Sequence, residues 1–352
     1  MYTDTLIIGQ GICGTWLSYW LLQAGAEFIV IDDANPASAS RVASGIINPV
    51  TGRRMVKTWL ADELLPFAEM AYKLMGDKLD RKIFSQTVLL DFFAAPDRRI
   101  SFEKRATQFD AYLNWPEDEH AWLPFFNYPF GYGIVSPVYQ VDIQTLLSDW
   151  RQILKRQNHL LEETYEGDLL ENTSNGLCYK NIRAKRIIFC DGTAVMEQPY
   201  FNLLPFAINK GEALVINVPG LPADNLYKKT NVITPWKDGL FWVGSSYERS
   251  YMDDKPSPVF YEQTVTWLKQ FLKLPFTIED HLAALRPTTV ERRPFAGMHP
   301  VHTYAGILNG MGTKGVSLAP FLAKQLAENI LNDRPVMREV DVKMYTRILQ
   351  RV

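Results

Sequence analysis

The sequence predicts an α/β fold, α+β overall, in which a domain of alternating strands and helices is woven through a second domain built on an antiparallel sheet. Three observations carry this. The chain opens with an apolar run, a glycine-rich turn, a helical segment and a second apolar run, from Thr5 to Asp33. Near its other end it repeats the strand, glycine loop and helix order, from Tyr304 to Leu331. Between them lie two β-rich stretches crowded with aromatic residues.

Thr5–Ile8 is short and apolar, as a buried strand is. Ile12 to Gln23 is apolar around most of its surface, which suits a helix under a sheet, and Ala24-Gly25 ends it. Phe28–Ile31 is the second parallel strand. Lys57 to Met75 reads as a helix kinked or restarted near Pro66, with Gly76 just past its end. From about Lys82 to Tyr139 the pattern is strands and loops, with Phe92-Phe93, Trp115, Trp122 and Phe125-Phe126 filling an interior or lining a pocket. Val141 to Gln157 is helical again, opened by Asp142 as N-cap. Arg186–Cys190 is a strand that runs into Asp191-Gly192. Strands over Glu212–Val218 and Leu240–Ser246 follow, then a helix over Val259–Lys273. Tyr304–Asn309, Gly310–Gly315 and Val316–Leu331 close the pattern as strand, loop and helix. No internal repeat or low-complexity segment interrupts it.

Composition excludes several function classes. With 352 residues, 47% of them apolar and 22% charged, the chain can bury a large core. A net charge of −2 without a long basic block gives no sign of general nucleic-acid or membrane-surface binding. Three cysteines, Cys13, Cys178 and Cys190, share no CxxC spacing and read as reduced thiols of a cytoplasmic protein. The N-terminal run lacks a basic leader, so no signal peptide is expected, and no apolar stretch is long enough for a membrane span. His299 and His302 flank Pro300 without a third ligand, so no metal site is expected.

Gly9-x-Gly11-x-x-Gly14 is the strongest motif. The first glycine allows a tight turn, the second lets backbone approach a pyrophosphate, and the third lets helix and strand pack closely. Ile12 and Cys13 then open a helix whose free N–H groups and dipole favour an anion. Asp32, 18 residues past Gly14, stands at the end of the second strand, placed to accept from ribose hydroxyls, with Asp33 beside it. This Rossmann-like pattern fits both a nicotinamide and a flavin dinucleotide. The segment from Ala37 to Arg54 favours the flavin: its small, hydroxyl-rich run through Ser44-Gly45 to Asn48-Pro49 could pass beside a long bound cofactor. The Gly310, Gly312, Thr313, Lys314, Gly315 loop is a second glycine turn before a helix N-terminus, suited to backbone contact with a polar ring or carbonyl oxygen.

Taken in order, these pieces resemble the FAD-dependent D-amino-acid oxidase family, which includes glycine oxidase and monomeric sarcosine oxidase, and also the oxidoreductase module of a bacterial enzyme that modifies tRNA wobble uridine. The resemblance rests on the N-terminal glycine motif, Ser44-Gly45 with Asn48-Pro49, Lys210-Gly211-Glu212, Asp238-Gly239 before Phe241-Trp242-Val243-Gly244, Leu285-Arg286-Pro287, Pro294 and the closing loop. It implies a tightly held FAD, a small amine or amino-acid substrate carrying a carboxylate, and hydride transfer to flavin N5; no cysteine stands where sarcosine oxidase attaches its flavin, so non-covalent binding is expected. Gly192 joins the cofactor-binding set on this footing.

Candidate substrate anchors follow residue by residue. Arg286 matches the carboxylate-binding arginine of glycine oxidase, and Lys314 falls where sarcosine oxidase has a carboxylate-binding lysine. Arg53 or Arg54 lies where that enzyme carries another basic residue, and Tyr247 and Trp242 are candidate pocket walls. The oxygen-activating lysine of sarcosine oxidase aligns near Trp242, which leaves a dehydrogenase with another acceptor open. The expected division is 1–75, 140–205 and 285–352 for the FAD-binding domain, with 76–139 and 206–284 for the substrate domain. A tRNA substrate is the alternative, with basic clusters such as Arg53-Arg54-Lys57 and Arg292-Arg293 as its contact face. A flavin-bearing subunit without its own catalysis is a third reading. The oligomeric state is left open.

Overall fold

The computed structural model describes residues 1–52, 55–109, 111–173 and 176–351. The chain divides into two compact units, each assembled from separate stretches: Met1–Ala43, Ile143–Asn209 and Leu285–Val352 in the first, Ser44–Asp142 and Lys210–Ala284 in the second. The first crossing comes at Ser44, where the sequence suggested residue 75. Ile46–Ile47 pairs antiparallel with Tyr139–Gln140, so the chain after Ala43 is already committed to the second unit's sheet.

The first unit is built on an eight-stranded sheet. Its parallel run is Leu160–Leu161, Phe28–Ile31, Tyr2–Ile8, Ile182–Phe189 and Ala305–Asn309, in that spatial order. Ile182–Phe189 is longer than expected because it serves two neighbours on one edge. Its first half pairs antiparallel with Leu177–Tyr179 and its second half parallel with Ala305–Ile307. The alternating exposure of Ile182 to Lys185 marks the half at the margin, and the buried Ile187-Ile188-Phe189 run marks the half inside. Leu6, Ile8, Ile29, Ile31, Ile187, Phe189 and Ile307 form one core, each worth about 1.5–3 kcal/mol of burial.

Two helices lie together in this unit. The opening helix, Ile12–Gln23, is buried on nearly all sides, as its apolar composition requires. Against it runs the closing helix, Gly315–Asn332, whose Pro320 carbonyl accepts from Trp20 Nε1 at 2.9 Å. The Lys324 ammonium stands 5.4 Å over the Trp20 ring. A third helix, Ile143–Arg156, buries Ile143, Leu146, Leu147, Trp150 and Leu154 at helical spacing. Arg151 lies on the same buried face, which no apolar pattern predicts.

The second unit holds a nine-stranded, largely antiparallel sheet, in which Asn225–Lys228 and Phe84–Phe92 run parallel. The helix expected over Lys57–Met75 runs instead from Ala61 to Leu79, through both Pro66 and Gly76. Pro96–Ala106 is a helix inside the stretch read as strands and loops; proline at its first turn and Asp97 beside it are its start signals. The aromatic clusters fill interiors. Phe92, Phe126, Tyr128 and Tyr132 are buried in one cluster and Phe93 and Phe102 in another. Among the described residues, no helix is long and apolar enough to cross a membrane.

Candidate dinucleotide site

Four parallel strands of the first unit end at the same edge. Ile8 is in register with both Ile31 and Phe189, and Phe189 with Ile307. The residues that follow them are therefore neighbours: Gly9, Asp32, Cys190-Asp191 and, from the last strand, Asn309 and its glycine loop. In parallel α/β sheets this carboxyl edge is where ligands bind, because helix N-termini converge there.

The glycine motif is locked by close contact. A Cβ on Gly14 would stand 1.8 Å from the Gly9 carbonyl oxygen, and one on Gly9, at φ +96°, would stand 2.6 Å from the Cys190 carbonyl. Neither position accepts a side chain, so turn, helix and central strand meet backbone to backbone. Gly11 caps the opening helix without a side-chain bond, and no acidic residue occupies the first turn. The Ile12 N–H donates to Ser40 Oγ at 3.0 Å. Lys314 stands at the N-cap of the closing helix, whose first turn likewise carries no acid. A Cβ on Gly315 would lie 3.1 Å from Ile12 Cγ2, so the two helices begin side by side. Two adjacent helix N-termini free of carboxylates favour an anion.

Asp32 is more heavily engaged than a ribose acceptor alone. Its Oδ2 accepts from the Gln10 N–H at 2.7 Å, and its Oδ1 accepts from the Ala34 N–H at 2.8 Å and Arg151 Nη1 at 2.5 Å. Arg41 Nη2 lies 3.6 Å away. Arg151 also donates to the Gln10 side chain and to the Asp32 carbonyl, at 3.1 and 2.8 Å. The carboxylate thus ties the glycine turn to the second strand. Asp33 sits at the rim, taking the Asn35 N–H at 3.1 Å. Gln10, Arg41 and Arg151 were missed from sequence. The available signal was a lone arginine on the buried face of the Ile143–Arg156 helix.

Asn309 joins two loops. Its Nδ2 donates to Asp191 Oδ1 at 3.2 Å and to the Gly192 carbonyl at 2.9 Å, while its Oδ1 accepts from the Gly310 N–H at 2.7 Å. Asp191 Oδ2 is sealed from solvent with no hydrogen-bond partner. Burial raises the Asp191 carboxyl to about 7, against smaller opposing effects of its own backbone N–H, Gln198 and Asn309. Cys13 and Cys190 are buried free thiols, and burial pushes Cys13 up to about 12.

The closing loop also meets the segment bearing Arg286. The Gly312 N–H donates to the Pro287 carbonyl at 3.1 Å. Arg286 is half-buried and gives Nη1 to Asn209 Oδ1 at 3.1 Å, with Asn209 Nδ2 donating in turn to Thr288 Oγ1 at 2.6 Å. Two residues beyond Gly312, burial lowers the Lys314 ammonium to about 8. Thr313 is exposed between them.

The other candidates belong to the second unit or lie outside the description. A Cβ on buried Gly45 would meet the Val141 carbonyl at 2.0 Å, so that glycine has a packing reason of its own; Ser44 precedes it, partly exposed. Trp242 is buried in the sheet, paired with Val215 and Thr234, as core packing requires. Tyr247 is about half exposed, with the Arg249 guanidinium 6.0 Å over its ring. Arg53 and Arg54 lie outside the described residues.

Two glycine turns, two helix N-termini without acids and a strand-end carboxylate, gathered on one sheet edge, define a dinucleotide-binding protein. The chain belongs to the family of FAD dependent oxidoreductases known as DAO, whose family model matches residues 4–329. It is 24% identical over 361 residues to glycine oxidase of Bacillus licheniformis, covering 96% of this chain and 95% of that one. It is also 24% identical over 349 residues, 93% of this chain, to the Caulobacter vibrioides tRNA 5-methylaminomethyl-2-thiouridine biosynthesis bifunctional protein MnmC. The chain spans 54% of that protein's length. Among solved structures, glycine oxidase from Geobacillus kaustophilus superposes with a TM-score of 0.80 at 14% identity, over 98% of each chain, which shows a shared fold. The protein is therefore an enzyme, a flavoprotein that uses FAD. The cradle fits that cofactor: closely packed glycine backbone and helix starts without acids suit a diphosphate.

Proposed function

We propose that this enzyme oxidises the carbon–nitrogen bond of a small amine or amino acid that carries a carboxylate, in the cytoplasm, with non-covalently held FAD. Bound FAD supplies the two-electron acceptor for a hydride from the carbon bearing nitrogen. Loss of the N–H proton leaves an imine, which water hydrolyses to a carbonyl compound and an amine or ammonia. The similarity to glycine oxidase over nearly the whole of both chains supports this reading.

The observation that carries it is the tie between Pro287 and Gly312, which keeps the Arg286 segment beside the loop that leads to Lys314. Arg286 would take the substrate carboxylate, since a planar guanidinium binds it through two parallel N–H bonds. Asn209 would fix the guanidinium plane from the other side. Lys314 would add positive charge, and its lowered pKa lets it hold or release a proton near neutrality. Gly9, Gly11 and Gly14 with the first turn at Ile12 and Cys13, together with Gly310, Gly312 and Gly315, would hold the cofactor through backbone. Tyr247 stays a candidate pocket wall.

Anaerobic mixing of the yellow holoprotein with glycine, N-alkyl glycines and other small amino acids tests the reading. Bleaching of the flavin band by one of them, with a carbonyl product, is expected. Failure of the whole panel would sink it. Similarity to the bifunctional tRNA-modifying protein supports a second reading, a substrate amine attached to RNA. Bleaching by a modified tRNA alone, with binding that weakens steeply in salt, would favour that one.

A further inference from the structure

Asp191 is an acid in an anion's place. It follows the central strand Ile182–Phe189 at the sheet edge, where its Cα would be 3.2 Å from a Cβ on Gly9, the first glycine of the motif. Its Oδ1 is held by Asn309, the residue that opens the closing glycine loop. It therefore stands between the two turns that present helix N-termini to a dinucleotide. Among the described residues no lysine or arginine is hydrogen-bonded or ion-paired to it, and Oδ2 is sealed with no hydrogen-bond partner.

An ionised carboxylate so placed suffers twice. Its own charge is poorly solvated, and it repels the diphosphate of a bound dinucleotide through a medium that screens weakly. As the neutral acid it suffers neither.

We propose that Asp191 must carry its proton for FAD to be held tightly, so that cofactor binding and protonation of this carboxyl are coupled. This rests on the assignment of FAD to the first unit. Every group facing Asp191 leaves the coupling to that one residue. The Cys13 thiol from the opening helix and the Cys190 thiol from its own strand are both pushed up by burial and neutral. Tyr165 is likewise raised and neutral. Gln198 and Asn309 do not titrate, and Glu197 on the turn Gly192–Glu197 is exposed to solvent.

The sign follows from linkage. A carboxyl already raised to about 7 is raised further by a bound anion. Between the two values the complex holds a proton that the free protein lacks. Affinity is then highest in acid and falls by up to ~10-fold per pH unit as pH rises above neutrality. Lys314 also loses charge near pH 8 and would weaken anion binding, so a comparison of variants is needed.

The experiment measures FAD dissociation constants on dilution of the holoprotein, followed by flavin fluorescence, from about pH 6 to about pH 9 for wild type and Asp191→Asn. Asparagine keeps the shape and cannot ionise. At pH 6 the two should bind within a few-fold of each other; at pH 8.5 the variant should bind at least ~10-fold tighter, while any effect of Lys314 cancels in the ratio. A wild-type affinity that is flat with pH overturns the proposal without any variant. A variant-to-wild-type ratio that is equal at both ends overturns it too. A colourless wild-type protein that FAD cannot reconstitute would instead remove the cofactor assignment beneath it.

Discussion

Ile12 and Gly315 touch at the heads of two helices that begin almost the whole chain apart, with room for 3.1 Å between Ile12 Cγ2 and a Cβ on Gly315. Neither helix has an acid in its first turn. Either start alone would attract an anion weakly. Side by side they form one electropositive ledge, and four strand ends border it.

The tightest contact on that ledge gives the first prediction. Gly14→Ala places a methyl where the Gly9 carbonyl oxygen already is, so the opening helix must move off the turn. The variant should purify without flavin colour and lose at least ~2 kcal/mol of stability. Flavin absorbance and a thermal melt check both parts.

Arg151 and Asp32 form an ion pair with side chains only 8% and 13% exposed. Arg151→Met leaves the carboxylate with backbone donors and Arg41 alone, at a cost of about 3 kcal/mol. Urea unfolding of the variant should show it, and Arg151→Lys should restore little, because three guanidinium nitrogens are in use.

For the substrate, Arg286→Ala should raise KM for a carboxylate-bearing amine by ~10- to 100-fold and leave the flavin content unchanged. Arg286→Lys should recover part of the loss. An unaltered KM takes Arg286 out of the site.

His299 makes stability depend on pH. Its Nδ1 accepts the Val301 and His302 N–H groups at 3.1 and 2.9 Å, which requires a neutral ring, and burial with His302 nearby lowers it to about 4. A base lowered on folding contributes fully above its unfolded pKa, near 6.5, and loses that contribution as pH falls towards 4. The loss should reach ~2 kcal/mol by pH 4.5 and shrink in His299→Gln. Unfolding curves between pH 7 and pH 4.5 measure it.

Much of this was legible in the residues. The opening helix was readable to its ends, Ile12 and Gln23, because glycines bracket an apolar run. The second turn was readable for the same reason. What escaped was whatever depends on partners distant in sequence. Arg151, Arg41 and Gln10 gather around Asp32 only after the sheet has formed, and Asn309 matters only through Asp191 and Gly192. The Pro66 helix shows the reverse case, a local breaker overruled by packing of Leu64, Leu65, Ala68 and Tyr72. Gly45 shows a third: one residue type serves a tight backbone contact or a ligand equally well, and sequence does not separate them.

The first unit's sheet draws its parallel strands from three separate stretches of chain, and Ile182–Phe189 joins two of them. A nascent chain therefore carries the opening glycine turn with nothing to complete it until the stretch from Ala305 has been made. Ala305–Asn309 and the helix after it must be made before the ledge exists, so the opening turn alone offers a flavin half of it.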